Sequence, residues 1–132
     1  MVSRFMDNVK NDAYYASKIL KDIKFILEKT AGLSPFAFKS DDVLCDSVLF
    51  RLDQIAENSE KLTPAYKKAR SIIPWQAIKG MRNCVVHEYD DNEFGDEFDD
   101  PLACEPDDEM DVLYQTVTKD LPQIYKLLEA LI

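Results

Sequence analysis

Several things are scarce in this chain, and each shortage narrows what it can be. Three glycines in 132 residues leave few positions for the left-handed backbone that tight hairpins need. No segment sustains a strand-like alternation of apolar and polar residues, so β architecture is not expected. Histidine occurs once, and the three cysteines, Cys45, Cys84 and Cys104, form an odd set without a Cys-x2-Cys spacing. A structural zinc site needs more thiolate and imidazole than this, so neither a metal nor any other cofactor is expected, and reduced thiols of a cytoplasmic protein are the plain reading. The longest apolar runs, such as "VLF" and "LLEALI", fall far below the roughly 20 residues that cross a bilayer. The opening "MVSRFMDNVKND" carries acids and no apolar h-region, so no signal peptide is expected. No internal repeat is evident. The length suits a single domain over residues 1–132, large enough to bury a core without staples.

What is abundant is negative charge, and it is not spread evenly. The formal net charge is −9, which by itself argues against a nucleic-acid partner. Residues 88–111, "EYDDNEFGDEFDDPLACEPDDEMD", hold 13 Asp or Glu and no Lys or Arg, leaving 12 acids against 16 bases elsewhere, a net of +4. The body is mildly basic and one segment is intensely acidic.

The periodicity is helical throughout. Ala16, Ile19, Leu20, Ile23, Ile26 and Leu27 recur at three- and four-residue steps over residues 12–31, ahead of Gly32, the residue best suited to a left-handed cap. "GLSPFAF" reads as a connection, and Ser40 before Asp41 and Asp42 as an N-cap with first-turn acids. A second helix follows, with Val48, Leu52, Ile55 and Ala56 in register and an end near Leu62. Thr63-Pro64 signals another start, with proline at the first helical position, for the short basic stretch "PAYKKARSI". Ile73-Pro74-Trp75 opens a helix through Ile78, Met81, Val85 and Val86. Helical spacing resumes over 108–120 with Met110, Leu113, Tyr114 and Val117; Pro122 is expected to break or kink the chain before a last helix, "PQIYKLLEALI". The fold expected is all-α, a small antiparallel bundle of about five to six helices.

The single histidine lies in "GMRNCVVHEYDD", residues 80–91. Arg82 and Tyr89 are seven positions apart, only about 20° out of register on an ideal helix, whereas His87 lies about 140° from Arg82. One straight helix would not aim Arg82 and His87 at the same point; they converge only if the helix distorts or a second copy of the chain supplies the partner group. The chemistry is coherent: a guanidinium binds phosphate bidentately, an imidazole exchanges a proton near neutrality, and a phenol donates or accepts a hydrogen bond. The structural alternative is a histidine capping helix carbonyls and an arginine paired with nearby acids. Val85, Val86 and Cys84 fit a buried face.

"IPWQAIKGMRNCVVHEY" resembles the signature of the HEPN superfamily, specifically the HepT-like toxins, which carry Arg-x4-His-x-Tyr with a polar residue after the arginine. The matching positions are Arg82, Asn83, His87 and Tyr89. "ILEKTAGLSPFAF", "DSVLFRLDQIAENSEKL" and "VTKDLPQIYKLLEALI" resemble the corresponding parts of those proteins in the same order. The resemblance implies an α-helical homodimer whose motifs face each other across a cleft, forming a metal-independent endoribonuclease, and a composite site of that kind would meet the geometric difficulty. His87 would then act as general base on a ribose 2′-hydroxyl, Arg82 would hold the phosphate and stabilise its developing charge, and Asn83 would orient groups in the site. The products would be a 2′,3′-cyclic phosphate and a free 5′-hydroxyl. The resemblance further implies a minimal nucleotidyltransferase antitoxin as partner, adding AMP to Tyr89; an anionic adenylate beside Arg82 would fill the cleft and repel RNA. The expected partners are therefore a second copy, that antitoxin and an RNA substrate, with no membrane.

The chain departs from the family pattern in its acidic insertion at about 90–108. A calcium loop starting at Asp90 fails, because Phe94 and Pro101 occupy ligand positions. Two readings remain beside a solvated loop: an electrostatic gate competing with RNA for Arg82, or a docking surface anchored by Phe94, Phe98 and Leu102. Lys67, Lys68, Arg70 and Lys79 are the candidate compensating bases. The acid load also keeps open a non-catalytic subunit that binds, or is modified by, a nucleotidyltransferase. A third reading is a helical interaction domain in which the motif is incidental.

Overall fold

The computed structural model describes residues 10–83 and 112–132. Among them the chain is helical, with no strand. In order they form α1 (Asp12–Thr30), α2 (Pro35–Lys39), α3 (Asp42–Lys61), α4 (Pro64–Ala69), α5 (Trp75–Gly80), a helical stretch at 112–115 that runs into a π-helical turn (Thr116–Asp120), and α6 (Leu121–Leu131).

α1 and α3 are the central pair, and α5 packs on α3 while α6 packs on α1. The buried face of α1 is Ala16, Ile19, Ile23 and Ile26, at steps of three and four; that of α3 is Cys45, Val48, Leu49, Leu52, Ile55 and Ala56. Leu20 and Leu27 lie at the edge of this face, packed against the core but only partly buried. Each fully buried aliphatic side chain contributes about 1.5–3 kcal/mol from removal from water. One charge lies inside this seam. Asp22 on α1 is buried and accepts from Arg51 of α3 at 2.6 Å, while the Arg51 guanidinium stacks on Phe25 at 3.9 Å. A carboxylate out of water needs such a partner, so the pair sets the register of α1 against α3.

The helix ends follow local chemistry. Asn11 caps α1, accepting from the Tyr14 amide at 3.0 Å, and Gly32 takes φ +75° after its last turn, the left-handed turn expected of it. The segment expected as a connection contains α2. Ser34 accepts from the Ala37 amide at 3.1 Å and Pro35 occupies the first turn, the same cap-and-proline device expected at Thr63-Pro64. Phe38, fully buried, anchors this short helix. Consequently Ser40 does not cap α3: its hydroxyl donates to the Phe36 carbonyl at 2.7 Å, closing α2, and Asp41 caps α3 by accepting from the Leu44 amide at 3.0 Å. Cys45 is buried, its thiol donating to the Phe38 carbonyl at 3.2 Å.

Thr63 caps α4, accepting from the Tyr66 amide at 3.2 Å, and is itself held by Asp12 of α1. The Asp12 carboxylate accepts from the Thr63 amide at 2.8 Å and from its hydroxyl at 2.7 Å. These two bonds, the hydroxyl first, hold the Asp12 carboxyl below its ordinary pKa, with Arg70 adding to the effect. A lowered folded-state pKa gives stability that is present above the ordinary carboxyl value, about 3.9, and is lost as pH falls through the folded value. Asp12→Asn is therefore expected to lower Tm at pH 7, with the gap to wild type closing as pH drops below about 4; thermal melts from pH 7 to 3 check it, and a constant gap contradicts it.

Pro122 does not break the last helix. A proline ring crowds the carbonyl four residues earlier and offers no amide; here the preceding turn opens to π geometry, with the Leu121 amide donating to the Thr116 carbonyl, and α6 continues through Leu121, Ile124 and Leu128. Tyr114 closes this end by donating to the Leu33 carbonyl at 2.7 Å.

Candidate functional site

The site grows from the way α5 is seated. Trp75 opens it half-buried, its indole N–H shared between the carbonyls of Lys67 and Arg70 at 3.1 Å each, so the last carbonyls of α4 fix the start of α5. Ile78 and Met81 then bury against α3. The helical run expected to continue through this point tightens rather than turning away: regular α-helix ends at Gly80, Met81 keeps helical angles (φ −62°, ψ −25°) with its amide donating to the Ile78 carbonyl at 3.1 Å, and helical geometry continues at 82–83. Arg82 directly follows the buried Met81, so the seating of Met81 sets where Arg82 leaves the core.

Arg82 emerges half-exposed, with 37% of its side chain accessible, facing α3. Its Nε stands 3.5 Å from Asp53 Oδ1 and its Nη1 3.8 Å from Glu60 Oε1. Glu60 is shared, because its other oxygen stands 3.7 Å from Lys79 Nζ. These are longer than tight charge-assisted hydrogen bonds, and half-exposed pairs of this kind contribute about 0–1 kcal/mol each to stability. Asn83 is exposed. His87 and Tyr89 lie outside the described residues, as do Cys84, Val85, Val86, Cys104, Met110 and the acidic segment with its candidate anchors Phe94, Phe98 and Leu102. Of the four motif positions, Arg82 and Asn83 are placed as neighbours on one exposed turn.

Asp53 and Glu60 were invisible as site residues in the sequence. They sit seven apart on the polar side of α3, an ordinary solvated pattern, and only the packing of α5 on α3 brings them to Arg82. The candidate compensating bases divide. Arg70 is committed to the fold, donating to the Leu131 carbonyl at 2.9 Å and stacking on Tyr66 at 3.7 Å, and Lys79 is paired with Glu60. Lys67 and Lys68 remain on α4 without an ion pair to any described residue. No cluster of His, Cys, Asp and Glu among the described residues is arranged to hold a metal ion, and no described helix is long and apolar enough to cross a membrane.

A helical bundle that carries an Arg-x4-His-x-Tyr sequence, with its arginine presented on an exposed turn after a core-packed helix, defines a HEPN-type domain. The Ribonuclease HepT-like family model matches residues 19–94, a span that includes Arg82, Asn83, His87 and Tyr89. The chain belongs to the HepT-like ribonuclease family. It is 27% identical over 118 residues, 89% of this chain and 91% of the other, to "Putative RNase TTE0752" of Caldanaerobacter subterraneus subsp. tengcongensis. It is 23% identical over 111 residues, 84% of this chain and 87% of the other, to "Putative RNase MJ1380" of Methanocaldococcus jannaschii. A third relative from that archaeon, "Gamma-glutamylcyclotransferase and putative RNase MJ0434", is 25% identical over 126 residues, which cover 92% of this chain and 50% of that protein. No solved structure matches the chain at comparable significance.

Proposed function

We propose that this protein is an endoribonuclease that cleaves RNA without a metal ion, through a composite site made by two copies of the chain. The observation that carries the reading is the intact Arg82-x4-His87-x-Tyr89 sequence inside the span matched by a ribonuclease family, with Arg82 presented half-exposed on a turn outside the core. In this mechanism His87 takes the proton of a ribose 2′-hydroxyl, and the resulting oxyanion attacks the adjacent phosphorus. The P–O5′ bond breaks and the leaving 5′-oxygen takes a proton from water, while His87 returns its own to solvent, leaving a 2′,3′-cyclic phosphate and a 5′-hydroxyl. Arg82 holds the phosphate and offsets the charge that grows on its oxygens, and Asn83, one residue on, hydrogen-bonds within the site.

The same reading includes control by a minimal nucleotidyltransferase antitoxin that adds AMP to the Tyr89 hydroxyl. A toxin–antitoxin role follows from that pairing. The acidic segment at 88–111 serves in this reading as an electrostatic gate or as a docking surface for a basic partner. A non-catalytic subunit that only binds or is modified by such a partner is the second reading, favoured by the carboxylates already facing Arg82.

The deciding experiment is RNA cleavage by purified protein in a chelator-containing buffer, with analysis of product ends. Cyclic-phosphate ends that disappear in His87→Ala are expected. A folded dimer that leaves RNA intact, with and without residues 91–107, would overturn the enzyme in favour of the binding subunit.

A further inference from the structure

We infer that Asp53 and Glu60 are positioning residues for Arg82, holding its guanidinium in the orientation in which it meets a phosphodiester. The inference rests on the reading of Arg82 as the phosphate-binding group. Arginine carries four rotatable bonds, and a half-exposed one two residues beyond a six-residue helix would sample many directions. Here two carboxylates two turns apart on α3 meet it through different nitrogens, Nε at 3.5 Å from Asp53 and Nη1 at 3.8 Å from Glu60. Two anchors on one rigid helix define a direction as well as a distance, which one ion pair would not. Neither of these contacts uses Nη2.

Glu60 also bears on Lys79, one oxygen to each base, so the four groups form a chain, Asp53–Arg82–Glu60–Lys79, with equal numbers of each charge. That balance separates two effects. Removing the carboxylates leaves more net positive charge for RNA, which favours binding; it also frees the guanidinium to wander, which costs rate, because small misplacements of a charge-stabilising group are expensive. A positioning role therefore predicts opposite or unequal movements of KM and kcat. A purely structural role predicts neither.

The test compares wild type with Asp53→Asn/Glu60→Gln, with Asp53→Glu, and with Asp46→Asn as an exposed control of like charge on α3. Two quantities are read: the Arg82 Nε–H resonance, assigned by its loss in Arg82→Ala, and kcat and KM on a single-stranded RNA. The double variant is expected to shift the Nε–H signal, because the Asp53 carboxylate 3.5 Å from it is neutralised. Its kcat should fall by about tenfold or more with KM unchanged or lower and Tm close to wild type. Asp53→Glu should recover most of the rate, and Asp46→Asn should behave as wild type. An unchanged Nε–H signal or an unchanged kcat in the double variant would overturn the inference. A raised kcat would overturn it as well, showing that the carboxylates mask Arg82. If wild type cleaves no RNA, the ribonuclease reading fails separately, and the resonance alone decides whether Asp53 and Glu60 hold Arg82.

Discussion

Arg82→Ala and Arg82→Lys are both expected to lose about 10²–10³-fold in kcat for RNA cleavage, the usual effect of removing one donor from a charge-stabilising site. The lysine variant is the sharper test. It keeps the positive charge but replaces a planar fork with a single ammonium, and it cannot reach Asp53 and Glu60 through two separate nitrogens as Arg82 does. If charge alone mattered, Arg82→Lys would stay within a few-fold of wild type. His87→Ala is expected to cost about 10²–10⁴-fold, the range for loss of a positioned general base. The proposed composite site takes groups from two chains, so a mixture of Arg82→Ala and His87→Ala protomers tests that proposal directly. Heterodimers that pair the intact Arg82 of one chain with the intact His87 of the other should regain a fraction of the activity. Mixtures as dead as either parent would show that each chain works alone. Folding is a small concern at Arg82, which is half-exposed and contributes little to the core.

The second large effect is on stability. Phe38→Ala is expected to destabilise the fold by about 3–5 kcal/mol, lowering Tm on the order of 10 °C or more. Phe38 is fully buried although it stands on the five-residue α2, and its ring lies 5.7 Å from that of Tyr114. A helix of that length has no stability of its own; it exists because Phe38 is inserted into the core and Ser34 caps it. The same side chain ties the α1–α3 connection to the helical stretch at 112–115. Phe36, two residues away and 80% exposed, is the control, and Phe36→Ala should change stability by no more than about 0.5 kcal/mol. Thermal or denaturant unfolding of the two variants decides it: similar losses at both positions would mean that α2 is not held by Phe38.

Much of this architecture is legible from residue order. The stripes on α1 and α3 are visible as three-and-four spacing, and Ala16, Ile19, Ile23, Val48, Leu52 and Ile55 are all buried as that spacing requires. Thr63-Pro64 and Gly32 mark their boundaries because capping is a contest within a few residues. Where two local signals overlap, order is not enough. Ser34-Pro35 carries the same start signal as Thr63-Pro64, yet "GLSPFAF" reads as a connection because it is too short to show a period, and the burial of Phe38 is a tertiary event. Ser40 and Asp41 can each cap a helix; Ser40 is taken by the end of α2, which leaves Asp41 for α3. Pro122 predicts a fault in the last helix, but whether the chain breaks or swells into a π turn depends on the packing of Leu113, Val117 and Leu121, which are all buried and hold both sides in line.

The residue types at the candidate site were set by the sequence alone: Arg82, Asn83, His87 and Tyr89 stand at the spacing of a known motif, and a motif needs only chain order to be seen. The surroundings of Arg82 were decided by the tertiary structure. Asp53 and Glu60 are more than twenty positions away along the chain, and nothing in their spacing distinguishes them from other polar residues on α3. They meet Arg82 because Ile78 and Met81 are buried as α5 packs on α3, and because Trp75 pins the start of α5 to the end of α4. Local periodicity reports which side of a helix is apolar; the relative placement of two helices is set by the packing of their side chains, and it is that packing which determines which carboxylates an arginine will face.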